Sequence, residues 1–205
     1  MAEVGSLLLF GQRTVAALRD RSVRFAVVGG FAVSVRTEPR FTRDLDLAIS
    51  VANDVEAERL VRDLQSIGYQ VFAVVEQESA ARLATVRLQV AGAAGEPLIV
   101  DLLFASSGIE RELVQAATLE TLPGIGEVPV ALCGHLIALK LLSRKERGRP
   151  NDLLDLEALL QAATQRDLDD AREGVRLIQQ RGFHRGRDLP TLLETEIRNA
   201  RAPAS

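Results

Sequence analysis

Cysteine is nearly missing from this chain: Cys133 stands alone, so no internal disulfide framework can staple the fold, and a reducing, cytoplasmic setting is expected. Long apolar runs are missing too. Nothing approaches the roughly 20 consecutive apolar residues of a membrane span, and the opening MAEVGSLLLFGQR has a three-leucine run with no basic stretch before it, which argues against a secretory signal. An excess of positive charge is absent, and the net charge of −3 argues against a surface that binds nucleic acid over its whole extent. There is no internal repeat and no low-complexity linker. Lysine is scarce: of 25 basic residues 23 are arginine, and both lysines, Lys140 and Lys145, fall in one short segment. That is either chance or the mark of a role that arginine cannot fill.

What is present suffices for a globular fold. The 205 residues, 47% of them apolar, can bury a substantial core. Leu7–Arg19 reads as an amphipathic helix with Leu7, Leu8, Val15 and Leu18 in its stripe. Strands are predicted at Arg24–Gly29, Asp44–Ser50, Gln70–Val75, Leu83–Val90 and Leu98–Phe104. A helix capped by Asn53 or Asp54 runs to Ile67 and stops at Gly68. From Ile109 the pattern turns mostly helical, broken by Leu122–Pro129, which suits a small hairpin. Helices follow at Ala131–Ser143, Asn151–Ala163, Leu168–Gln180 and Pro190–Ala200. The expected architecture is α/β (α+β): a mixed sheet with flanking helices over residues 1–130, and a helical region over 131–205 packed on it.

The stretch from Phe25 to Ile49, FAVVGGFAVSVRTEPRFTRDLDLAI, is the most informative. An apolar run feeds Gly29-Gly30, and after thirteen intervening residues comes Asp44-Leu45-Asp46-Leu47. In a strand, residues two apart share a face and lie about 6.6 Å apart along it. Asp44 and Asp46 would thus stand together while Leu45 and Leu47 enter the core. Paired carboxylates repel and resist desolvation unless a cation satisfies them. Mg²⁺ fits, since it takes oxygen ligands and shares its shell with substrate phosphates. Gly29 and Gly30 suit a tight strand-to-helix turn, and glycine also lets amides approach a phosphate at a helix N-terminus. Neither a G-x-G-x-x-G order nor a Gly-Lys-Ser/Thr loop is present.

This pattern, with Arg40-Phe41-Thr42-Arg43 before Asp44, resembles the polymerase-β-like nucleotidyltransferase superfamily and its AbiEii/AbiGii branch, which includes toxins of type IV toxin–antitoxin and abortive-infection systems. The resemblance runs from about Val23 to Leu160. It implies that a third carboxylate on a neighbouring strand completes the metal site and accepts the proton of the attacking hydroxyl. Asp101, inside Leu98-Ile99-Val100-Asp101-Leu102-Leu103, is the candidate; read alone, it could be an acid at an exposed strand edge. Arg40 and Thr42 could hydrogen-bond the triphosphate or the loop itself.

Downstream, Cys133, Ile137, Lys140 and Arg144 share one helix face, so Lys140 should lay its stem along the core with its ammonium at a polar site. Asp152 and Asp155 lie three apart on the next helix, with Asn151 as its expected cap. This segment resembles the branch's Lys…Arg…Asp-x-x-Asp motif, which implies that Lys140 and Arg144 engage nucleotide phosphates and that Asp152 supports the same site. The bland alternative is a helix connection with solvated charges. His135, His184 and Cys133 read as structural residues, since no neighbour stands at zinc-ligand spacing. Arg181, Arg185 and Arg187, with Arg144, Arg147 and Arg149, could form a basic face for tRNA or simply a solvated one.

The expectation is a nucleotidyltransferase moving NMP from an NTP to an acceptor hydroxyl of tRNA, other RNA or protein, with Asp44, Asp46 and Asp101 on Mg²⁺ (two ions, with Mn²⁺ as a substitute) and Gly29, Gly30 and Lys140 around the triphosphate. The resemblance implies a toxin with a cognate antitoxin. An antibiotic-modifying nucleotidyltransferase and a non-catalytic nucleotide- or partner-binding descendant are the alternatives. No membrane partner is expected, and the sequence leaves oligomeric state open.

Overall fold

Helix α1 (Ala2–Asp20) leads into strand β1 (Arg24–Val28). The chain continues through α2 (Gly29–Arg36), β2 (Asp44–Ser50), α3 (Asp54–Gln65), β3 (Gln70–Gln77), β4 (Arg82–Ala91), β5 (Pro97–Leu103), α4 (Glu110–Ala116), β6 (Thr118–Leu122) and β7 (Gly126–Val130). Four helices end it: α5 (Cys133–Ser143), α6 (Pro150–Ala162), α7 (Gln165–Gln180) and α8 (Leu189–Arg201). This computed structural model describes residues 2–39, 42, 44–77, 82–91, 97–122, 124–143 and 150–201, with side chains described from residue 8 and not at 150 and 151.

The seven strands form one mixed sheet in the order β3-β4-β5-β2-β1-β7-β6. Strand β2 lies in the middle because its apolar positions can be covered there. Leu45, Leu47 and Ile49 are buried on one face, while Asp44 and Asp46 on the other face are only half-buried. It pairs antiparallel with β1 and parallel with β5. Parallel neighbours need a crossover between them, which α3 and the β3–β4 hairpin supply here. Asn53 caps α3 as expected, its side chain accepting from the Glu56 amide at 3.1 Å.

One continuous apolar core runs from α1 (Phe10, Val15, Leu18) through the sheet to the last helices (Leu136, Leu156, Ile178, Leu193). Helix α5 packs on α7, α6 and α8. Gly134 permits the close approach to α7, since a Cβ there would lie 2.3 Å from the Asp167 carbonyl. Helix α2 touches β1 and β2 and also α5 and α6, so it joins the sheet to the helical end. Arg36 at its last turn fastens it, donating to the carbonyls of Ala131 (2.9 Å) and Val130 (3.0 Å) and pairing with Glu120 at 2.7 Å.

Most element ends shift by a few residues from expectation, and three of the differences have a clear physical cause or consequence. Gly29 opens a helix rather than closing a strand, because its φ of +63° leaves the extended region. The hairpin reaches back to Thr118, with Thr118 opposite Val130. Asn151 lies inside α6, which starts at Pro150; a proline fits a helix's first position because the missing N–H would be unpaired there anyway.

Candidate active site

Strand register assembles the acids. In the parallel β2–β5 pair Asp46 stands beside Asp101, and Asp44 beside Ile99. In the antiparallel β4–β5 pair Arg87 stands beside Asp101 on its other side. Residues paired across neighbouring strands share a face of the sheet, so Asp46, Asp101 and Arg87 form a row across three strands. Val28 is the partner of Asp46 in β1, which sets the Gly29 turn directly over the Asp46 carboxylate.

The electrostatics of this row are uneven. Burial pushes the Asp46 carboxyl up from 3.8 to about 7, with repulsion from Asp101 and Asp44 adding to it and Lys140 and Arg87 only partly opposing it. Asp101 is buried, and both its oxygens are held by Arg87, Nε to Oδ1 at 2.8 Å and Nη2 to Oδ2 at 2.6 Å. The same Nη2 is 4.0 Å from Asp44 Oδ2. These contacts, with the Asp101 hydrogen bond first, hold the Arg87 guanidinium above its ordinary range.

Lys140 occupies a second, coupled cluster. Its Nζ donates to Asp152 Oδ1 at 2.7 Å and lies 2.7 Å from Asp155 Oδ2, with side-chain exposures of 13%, 10% and 3% for the three residues. Ser143 Oγ braces the cluster through the Lys140 carbonyl (3.1 Å) and Asp152 Oδ2 (3.3 Å). An ammonium has three donors, so one remains after these two acids are served. The packing of α2 on α5 and α6 brings this ammonium within electrostatic reach of Asp46.

The other sequence candidates are placed as follows. Of the two glycines only Gly29 takes a left-handed φ; Gly30 lies in the first turn of α2, where its carbonyl accepts from Ser34. Thr42 donates to the Asp44 carbonyl at 3.1 Å, the loop alternative of its two readings. Arg40 and Arg144 lie outside the described residues, as do Lys145, Arg147 and Arg149. Cys133 is buried, and burial pushes its thiol up to about 11, as suits an inert core residue. His135 is half-buried with Nδ1 unpaired, and burial holds its pKa down. Arg181 donates to the Gly108 carbonyl and pairs with Glu112 at 2.7 Å; Arg187 donates to the Leu142 carbonyl.

Sequence reading missed Arg87 and left Asp155 without a role at the site. The only signal for Arg87 was the alternation of Thr85, Arg87 and Gln89 with Val86, Leu88 and Val90, which marks a polar face but names no partner. Asp155 was visible as the second acid of the Asp152/Asp155 pair.

The donor set suits a hard divalent cation at one point. Asp44 and Asp46 offer carboxylate oxygens, and the Asp46 carboxyl, raised first by burial and then by repulsion from Asp101 and Asp44, is a group whose charged form a bound cation would favour. Among the described residues no three acidic, histidine or cysteine side chains stand ready to share one ion. Asp101, in register with Asp46, is committed to Arg87.

The fold is shared with solved structures of distant sequence. The chain is similar to an antigenic nucleotidyltransferase-like protein from Paracoccidioides brasiliensis, at 20% identity over 92% of each chain with a TM-score of 0.53. It is also similar to the antibiotic-resistance factor ANT(2'')-Ia, at 12% identity over 97% of this chain and 100% of that one, TM-score 0.54. At these identities the likeness is one of fold. No curated protein matches the sequence. The family model described as "Nucleotidyl transferase AbiEii toxin, Type IV TA system" matches residues 14–204. The chain therefore belongs to the AbiEii nucleotidyltransferase toxin family and is a nucleotidyltransferase.

Proposed function

We propose that this enzyme moves a nucleoside monophosphate from an NTP to a hydroxyl of RNA or protein in a Mg²⁺-dependent reaction that releases pyrophosphate, and that it is the toxin of a pair with a separate antitoxin. The observation that carries this reading is the convergence of Asp44, Asp46 and Asp101 beside the Gly29 turn, with Lys140 within electrostatic reach.

Asp44 and Asp46 would hold Mg²⁺, which supplies charge neutralisation and alignment of the α-phosphate for in-line attack. Gly29 keeps the space above Asp46 open at the N-terminus of α2, where a phosphate is favoured. Lys140, anchored by Asp152 and Asp155, offers its remaining N–H to the leaving pyrophosphate without losing its place. Asp101, in register beside Asp46, would take the proton from the acceptor hydroxyl once Arg87 yields one of its oxygens.

The test is label transfer. The purified protein is incubated with each α-³²P-NTP, Mg²⁺ and, in separate reactions, total cellular RNA, total protein or a small hydroxylated antibiotic. Label moving onto RNA or protein, abolished by chelator, is expected. Label entering only a small hydroxylated antibiotic would replace this reading with the antibiotic-modifying one, and no transfer with any NTP would remove it.

A further inference from the structure

The charge balance of the carboxylate row makes Arg87 more than an ion-pair partner. With all three ionised, the carboxylates carry three negative charges, and Arg87, bonded to Asp101 at 2.6 and 2.8 Å and 4.0 Å from Asp44, cancels one. What remains is the charge of a single divalent ion. A bidentate guanidinium uses both oxygens of its carboxylate in one plane, and a fixed cation so near repels a further ion in a partly buried site, where screening is weak. Two-metal sites need their ions about 3.5–4 Å apart with a carboxylate oxygen for each.

We propose that Arg87 is the built-in second cation of this site: by holding Asp101, it limits the nucleotide-free protein to one divalent ion, on Asp44 and Asp46. The triphosphate of a bound NTP brings the negative charge that a second ion requires, so the count rises only with substrate. Arg87 is thus a positioning residue, and this role rests on the metal-dependent reading above.

The experiment is a Mn²⁺ titration of the nucleotide-free full chain, with free Mn²⁺ read by electron paramagnetic resonance. Wild type should hold one ion per chain. Arg87→Gln and Arg87→Met, made in parallel and checked by circular dichroism so that a folded neutral variant is in hand, should hold two, with the broadened signal of spin-coupled neighbours. Arg87→Lys, which keeps a cation, should stay at one. Two ions in wild type, or one ion in a folded neutral variant, overturns the proposal. No bound ion in wild type or in any variant overturns it as well, whereas label transfer that persists in excess chelator removes the metal-dependent reading itself. An arginine serving only to tie β4 to β5 would leave the ion count unchanged.

Discussion

The carboxylate of Asp46 occupies the space that a side chain on Gly29 would need: a Cβ there would lie 1.8 Å from Asp46 Oδ2. Turn and acid are therefore one fitted unit. Gly29→Ala must displace the carboxylate and also hold a left-handed φ of +63°, a conformation that costs an L-residue about 1–2 kcal/mol. Displacing a reacting group by about 1 Å can cost about 100-fold in rate. The expected outcome is a loss of transfer of that order with a modest drop in melting temperature. Full activity in Gly29→Ala would mean that the position of Asp46 does not matter to the chemistry.

Asp46 and Asp44 give two further outcomes. Either Asp→Asn change should abolish label transfer, because the ligand charge for Mg²⁺ is removed. Asp46 should also leave a pH signature opposite to that of an ion-paired carboxylate. Its folded pKa of about 7 lies above the ordinary 3.8, chiefly from burial and then from Asp101 and Asp44. Between those values the folded protein holds a proton that the unfolded chain has released, so stability falls as pH rises through this window. The full penalty is present above pH 7 and absent below about 4. In excess chelator, Asp46→Asn should melt higher than wild type at pH 8, by about 2–4 °C for each kcal/mol relieved in a chain of this size. The gap should close toward pH 4. Parallel melting curves across that range would contradict the assignment.

The arginines separate into two groups. Arg181 and Arg187 are committed to the carbonyls of Gly108 and Leu142 respectively, and Arg181 also to Glu112. Arg181→Ala should therefore cost under about 1 kcal/mol, as part-exposed pairs do, and leave retention on RNA untouched. If RNA is the acceptor, replacing Arg147 and Arg149 with Ala should flatten the salt dependence of that retention, since each lost phosphate contact lowers the slope by roughly one. Equal slopes in wild type and the double variant would take these two arginines out of the RNA contact, and salt-insensitive or absent RNA binding would favour a protein or small-molecule acceptor.

Local pattern made most of this fold readable from sequence. The Asp-Leu-Asp-Leu alternation announced β2 and its two faces, and the Asn53 cap and the Gly68 stop bounded α3. Lys140 and Asp152 were legible because i, i+4, i+7 spacing places side chains on a helix without knowledge of its neighbours. Strand order was not legible. Nothing local in Thr85-Val86-Arg87 says that β4 lies against β5 in the register that joins Arg87 to Asp101, since that register is set by the burial of both strands and not by any residue beside Arg87. The start of α6 was misread for a related reason: Asn is a good cap by composition, but Pro150 before it was equally fit to begin the helix.

Lys140 combines both kinds of consequence, structural and catalytic, and can be made to separate them. Its ammonium stands 2.7 Å from both Asp152 and Asp155, and all three side chains are nearly enclosed. Removing it takes a cation away from two adjacent buried carboxylates, and breaking a buried pair in this way costs about 3–5 kcal/mol. Lys140→Ala should therefore melt on the order of 10 °C lower, whatever its role with nucleotide. Binding gives the second measurement. An NTP that contacts the remaining N–H stabilises wild type by mass action, and the upward shift with NTP should shrink in Lys140→Ala when each protein is compared with its own nucleotide-free form. Lys140→Arg keeps the charge and should recover much of the stability, but its planar fork cannot serve two acids and a phosphate from one point, so transfer should stay low. Lys145→Ala should change neither quantity. Equal NTP shifts in wild type and Lys140→Ala would leave the lysine with a structural role alone.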